Sequence, residues 1–329
     1  MKHMRVGLVV LGLSVLVCTP VLAGEGGNWL SWESVVAAAS QAAEEAGGEA
    51  KPAAPLPLLT FEGVSGGLIT PMAYLCNADK NTTIGKPSVG YIYANLGSKN
   101  LHAVIINQTF LGRLELSYAL NVLDLGSLPA DFYKEAGLSI GRDSICLHHF
   151  NARALLLEEN SFGLPLPAVT VGVHFKYNDG IADINRQSNH TLSSHDYDRQ
   201  YGVDYTLTAS KTFEKLACGR PLILTVGLRN SRAAQVGLLG FGGTCKTTVE
   251  ASAACLVTDR LLVAYEFRQK NDPYTHVSKV LEHEKNWHAV SLTYVINDHL
   301  TVTGAWGCLG KIANSTADGA FLFQVKYEF

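Results

Sequence analysis

Beyond residue 23 this 329-residue sequence lacks long apolar runs. None approaches the roughly 20 residues that a membrane-spanning helix needs, which excludes a helical membrane bundle. Charge is sparse as well, at 17% Asp, Glu, Lys and Arg, below the roughly 25% of an average soluble domain. No basic excess exists either, since 26 Lys and Arg face 29 Asp and Glu, so no footprint for a nucleic-acid partner is expected. Disorder is excluded from the other side, by 47% hydrophobic residues and a mean hydropathy of +0.12, because disordered chains combine low hydrophobicity with high charge. No CxxC pair, zinc spacing, HExxH run or nucleophile elbow is found. No catalytic residue, metal ligand or cofactor is therefore assigned, and the chain is not expected to be an enzyme. A sequence rich in apolar residues yet without apolar runs must alternate them with polar ones along strands.

The first segment gives the route. Lys2, His3 and Arg5 precede an apolar stretch from Val6 to Val17, and Val21-Leu22-Ala23 closes it in a small-residue cleavage pattern. Residues 1–23 are expected to be a cleaved secretory signal peptide, since the apolar core is too short for an anchor. Residues 24–60 read as a periplasmic helical arm and linker: Val35 to Ala46 is rich in Ala with Glu44 and Glu45, Gly47-Gly48 ends it, and Lys51 to Pro57 is rich in Pro. Such an arm is either a partial plug or a loosely ordered tail.

From residue 88 the pattern has period two. Leu114, Leu116, Tyr118 and Leu120 alternate with Arg113, Glu115 and Ser117, and Val169 to Tyr177 alternates with Thr170, Gly172, His174 and Lys176. The same holds for 202–211, 221–230, 260–269 and 319–329, and more weakly for 88–96, 101–109, 144–155, 248–257, 287–296 and 299–309. One greasy and one wet face is the signature of a half-buried strand. Most segments match the roughly 9–11 residues that a tilted strand needs to cross a bilayer. The connections alternate long with short after the first pair, as they do between external loops and periplasmic turns of outer-membrane barrels. The expected fold is all-β: a closed antiparallel transmembrane β-barrel of about twelve strands, occupying 61–329 and preceded by the short helical segment. The sequence ends on Phe329, with Tyr327 and Val325 on the same strand face. This pattern looks like the C-terminal signal read by the barrel-assembly machinery.

Phe61-Glu62-Gly63-Val64-Ser65-Gly66-Gly67-Leu68-Ile69-Thr70-Pro71, followed by Ala73-Tyr74, resembles the opening of a bacterial family known only as domain of unknown function 3034. Further stretches are similar to it: Gly237 to Gly243, Leu256 to Leu261, Glu266 to Lys270, Asn297 to Thr301 and Leu309 to Asn314. The resemblance spans roughly 61–329. It implies a secreted, barrel-like protein of the outer membrane and carries no activity with it.

The inward positions assigned by the alternation are Arg113, Lys176, Arg229, Arg260, Arg268 and Lys326, against Glu115, Asp204, Glu250, Glu266 and Glu328. Mixed signs do not make a selective ring. The expected function is a passive or weakly selective porin-like channel for small solutes in the outer membrane of a Gram-negative-type bacterium. The alternative is a closed structural or envelope-assembly barrel that presents its loops or N-terminal arm to a partner. Expected partners are outer-membrane lipid and, during biogenesis, the barrel-assembly machinery. Two histidine groups, His276, Glu282, His283, Glu284 and His288, and His190, His195, Asp196 and Asp198, lie in or beside expected external loops, where polarity needs no metal to explain it.

Overall fold

The computed structural model of the chain describes residues 57–274 and 283–329. The expected signal peptide and helical arm, in residues 1–56, lie outside the described residues, as does 275–282 with His276 and Glu282.

Twelve antiparallel strands close into a barrel. In chain order they are β1 Ser88–Asn95, β2 Asn100–Phe110, β3 Leu114–Asp124, β4 Ser144–Leu157, β5 Ala168–Asp179 and β6 Tyr201–Ala217. They continue as β7 Arg220–Ala233, β8 Phe241–Leu256, β9 Leu261–Arg268, β10 Trp287–Val295, β11 Leu300–Cys308 and β12 Ala320–Glu328. Each pairs with the next, and Glu328 of β12 pairs with Ser88 of β1 to close the ring. Every strand expected from the alternation is present. Three run well beyond the expected segments: β6 has 17 residues, β7 14 and β8 16. As a result the connection left between the expected segments 221–230 and 248–257 shrinks to 234–240.

The alternation becomes two faces. Val104, Val173, Leu207 and Val226 point outward, with Val104 58% and Val226 54% exposed, while Glu115, Lys176 and Asp204 on neighbouring strands are wholly buried. Tyrosine–histidine pairs stud the outside: Tyr91 with His102, Tyr118 with His148 and Tyr265 with His288, at 2.7, 2.9 and 2.7 Å.

The two rims differ. One carries the short connections 111–113, 218–219, 257–260 and 296–299 together with the start of β1 and the end of β12; we call it the terminal rim. The other carries 125–143, 180–200, 269–274, 283–286 and 309–319. Two short helices fold over that loop rim, α1 Leu128–Ala136 and α2 Ile181–Gln187. Arg142 joins their loops through Asp183 at 2.6 Å. Helix α1 begins with Pro in its first turn and stops at Gly137, whose φ of 67° only Gly adopts without strain. Leu128, Phe132, Ile181, Ile184, Val236 and Leu238 turn into the barrel mouth and pack as one apolar cluster. The loop rim is thereby capped.

The wall begins at Ser88. Ahead of it Leu58–Leu59 pairs with Ser65–Gly66 in a small hairpin. The hairpin lies inside the barrel.

A charge at the middle of the outward wall tests its environment. Val226→Arg should cost about 2–4 kcal/mol in urea unfolding from lipid vesicles if the wall meets acyl chains, whereas a water-exposed site would change stability by less than about 0.5 kcal/mol. Thr170→Arg should be equally harmful, because Thr170 is buried and donates to the Ala73 carbonyl at 2.8 Å.

Candidate functional site

Residues 57–76 enter the barrel at the terminal rim, rise past its middle and return. Nearly every residue of this stretch is buried. Entry is fixed by Lys326, whose ammonium donates to the Pro57 carbonyl, and by Gln324, which donates to the Leu59 carbonyl at 2.5 Å. The turn is made at 60–64, where Thr60 N–H donates to the Val64 carbonyl at 2.8 Å and Gly63 takes φ +100°. On the way back Ala73 N–H donates to Ser210 Oγ at 2.8 Å, and Tyr74 ends at the terminal rim against Glu159 and Thr212.

The turn carries Glu62, the centre of the site. Its Oε1 accepts from Lys176 Nζ at 2.5 Å, and its Oε2 lies 2.6 Å from Arg268 Nη1 and 3.1 Å from Arg229 Nη2. These three cations belong to a chain of alternating charge across five adjacent strands, β5 to β9. Lys176 meets Asp204 at 2.7 Å, Arg229 meets Asp204 at 3.1 Å and Glu250 at 2.6 Å, and Arg268 meets Glu250 at 3.2 Å. All six side chains are buried. The wall alone offers three positive charges against two negative ones; Glu62 supplies the third anion. A buried charge left without its partner is strongly unfavourable, so the hairpin and the belt require each other.

A second contact reverses the polarity. Glu266 on the wall receives Leu68 N–H at 2.8 Å, Ile69 N–H at 2.9 Å, and both Thr70 N–H and its hydroxyl at 2.8 Å. Consecutive backbone N–H groups pointing one way form an anion-binding concavity. The glycines beside it are sterically required. A Cβ on Gly67 would sit 2.4 Å from the Glu266 carboxyl, and one on Gly66 would sit 2.3 Å from the Thr70 carbonyl oxygen. Lower down, Arg153 bridges Glu115 at 3.2 Å, the Ser65 carbonyl at 2.9 Å and the Met72 carbonyl, while Ser65 Oγ donates to Glu115. Lys326 pairs with Glu328 beside Pro57.

Of the expected inward residues, Glu115, Lys176, Asp204, Arg229, Glu250, Glu266, Arg268, Lys326 and Glu328 thus line the interior. Arg113 and Arg260 do not. Both have the inward parity but precede the first residue of their strands, in turns where the chain has left the wall. Arg113 is 55% exposed and reaches Glu158 at 2.6 Å. With Lys80 it holds the Glu158 carboxyl below its ordinary range, the Lys80 hydrogen bond being the larger cause. Arg153 was not foreseen, because the run Ala154-Leu155-Leu156-Leu157 blurs the alternation around it. Glu62 has a sequence signal in hindsight: it is the one charged residue between Lys51 and Asp79.

Among the described residues the histidine groups do not assemble into a metal-holding cluster. His283 bonds Asp272 at 3.0 Å, His288 faces outward to Tyr265, and Glu284 lies buried against Lys270 at 3.2 Å. Burial pushes Glu284 up and pulls Lys270 down to about 8. Val325, Tyr327 and Phe329 share the outward face of the last strand, with Phe329 N–H bonded to the Pro87 carbonyl at 3.1 Å.

The family model described as protein of unknown function DUF3034 matches residues 57–325, so it includes the hairpin and the wall as far as Val325 in β12. No curated protein matches the chain. Among solved structures, the KdgM porin aligns with a TM-score of 0.45 and 12% identity, over 74% of this chain and 99% of that one. The outer membrane protein Omp33 of Acinetobacter baumannii gives 0.40 and 9%, over 75% and 99%. Outer membrane phospholipase A from Escherichia coli gives 0.37 and 8%, over 75% and 94%. Likeness at this level transfers neither solute nor activity.

Steric demand at the hairpin is directly measurable. Gly66→Ala should lower stability by about 1–3 kcal/mol, as overpacking does, in urea unfolding. Gly243→Ala, where a Cβ meets nothing within 4 Å, serves as the neutral control.

Proposed function

The chain belongs to the DUF3034 family, and we propose that it is an outer-membrane β-barrel, porin-like in build, held closed by its own hairpin 57–76. The observation that carries this reading is the burial of the belt. Inward side chains of an open pore face water, whereas Lys176, Arg229, Arg268 and Lys326 are buried under the hairpin and the loop-rim cap. An open, passive channel is therefore not the resting state, and passage of small solutes requires the hairpin to withdraw. The membrane setting rests on the large apolar side chains exposed around the wall, Val104, Val173, Leu207 and Val226 among them, since extended exposed apolar surface marks an interaction or membrane face. In this reading the terminal rim faces the periplasm and lipid surrounds the wall. Export by a cleaved signal peptide at 1–23 belongs to the same proposal. So does recognition of Val325, Tyr327 and Phe329 by the barrel-assembly machinery. Catalysis has no place in it.

Planar-bilayer recording tests the closed state. Wild type should be silent, and Glu62→Ala combined with Glu266→Ala, which removes the carboxylates that join the hairpin tip and its return limb to the wall, should give discrete steps. Steady wild-type conductance would overturn the proposal. Silence of both proteins would favour the closed structural barrel. Deleting Phe329 should lower the yield of heat-modifiable barrel in the outer membrane several-fold while leaving export intact, as read by fractionation; unchanged yield would remove the assembly signal from the reading.

A further inference from the structure

The belt holds Glu62 as a receptor holds a ligand. Its two oxygens are separated between partners, Lys176 on one and Arg229 with Arg268 on the other. That division suits a planar two-oxygen anion better than a spherical one, since guanidinium groups match carboxylate geometry. The wall provides the surplus positive charge without Glu62, because Asp204 and Glu250 are already shared along the chain of ion pairs.

The other ionisable groups nearby do not cancel that surplus. Glu266, on the same wall face as Arg268, is committed to the N–H groups of 68–70. Arg153 with Glu115 and Lys270 with Glu284 are paired among themselves. His174 is held by Asn151 at 2.9 Å and Thr206 at 2.8 Å, and His149 meets Asn121 at 3.0 Å.

We propose that the Lys176–Arg229–Arg268 cradle is a carboxylate-binding site of the lumen, which Glu62 occupies in the closed barrel and the carboxylate of a small organic acid can occupy in its place. An acid that takes the cradle removes the reason for Glu62 to stay there, so the same site both recognises the solute and releases the hairpin. This deepens the closed-barrel reading and rests on it for the release. The recognition itself is testable without any conductance.

The test is chemical rescue. Purified Glu62→Ala protein is refolded and melted in detergent in sodium acetate, sodium formate or sodium chloride at equal ionic strength. Heat-modifiability gives the folded fraction. Acetate and formate should raise the melting midpoint and refolding yield of Glu62→Ala saturably, by several degrees and several-fold, with chloride giving neither. Wild type and Glu62→Gln, whose side chains fill the cradle, should not respond, and adding Arg229→Met to Glu62→Ala should abolish the response. Equal behaviour in acetate and chloride would overturn the proposal, as would failure of Glu62→Ala to refold in acetate. A silent bilayer recording bears only on the gate, and an absent rescue only on the cradle.

Discussion

One carboxylate holds the interior together. Glu62 is shared by three cations from three different strands, and none of them has water to fall back on. Buried ion pairs contribute little net stability compared with apolar packing of the same volume, yet removing one partner is costly, about 3–5 kcal/mol. Such an arrangement specifies position more than it adds strength. An apolar hairpin could slide along a greasy lumen, whereas one whose charge must meet Lys176, Arg229 and Arg268 at once has a single depth.

Reciprocity reinforces this. The hairpin offers a carboxylate to wall cations at its tip and a row of N–H groups to the wall carboxylate Glu266 on its return. Each side therefore carries a buried polar group that only the other satisfies. The glycines of the 63–67 stretch follow from that demand. Gly63 turns the chain in the left-handed region, and Gly66 and Gly67 let backbone approach where a side chain would collide. A stretch without secondary-structure period thus has its composition set by steric contact with the barrel.

This explains which parts were legible in the sequence. The wall was, because a strand with one apolar outward face and one polar inward face writes itself as strict alternation, and Val169 to Tyr177 is its clearest instance. Register followed, which is why nine of the eleven inward charges line the interior. Parity was right for Arg113 and Arg260 as well, but a side chain has a wall face only while its backbone is in the wall. The hairpin was not legible. Its partners lie 114 residues away at Lys176 and 206 at Arg268, and contacts at that separation leave no local period. Interior occupancy was hidden for the same reason: alternation reports that a face is polar and does not say whether water or protein stands opposite.

Because the hairpin comes in and goes out by one rim, its anchors on the incoming limb lie in series along the barrel axis. Pro57 at Lys326 comes first, Leu59 at Gln324 second, and Glu62 at the belt last. Tension on the backbone at Pro57 would reach these contacts singly and peel the limb away, with the strongest one loaded only after the others have gone. The same anchors sheared together would resist as a sum. A hairpin anchored this way resists a load sheared across its whole length more firmly than a pull along its own chain, so the direction of the force decides how hard it is to withdraw.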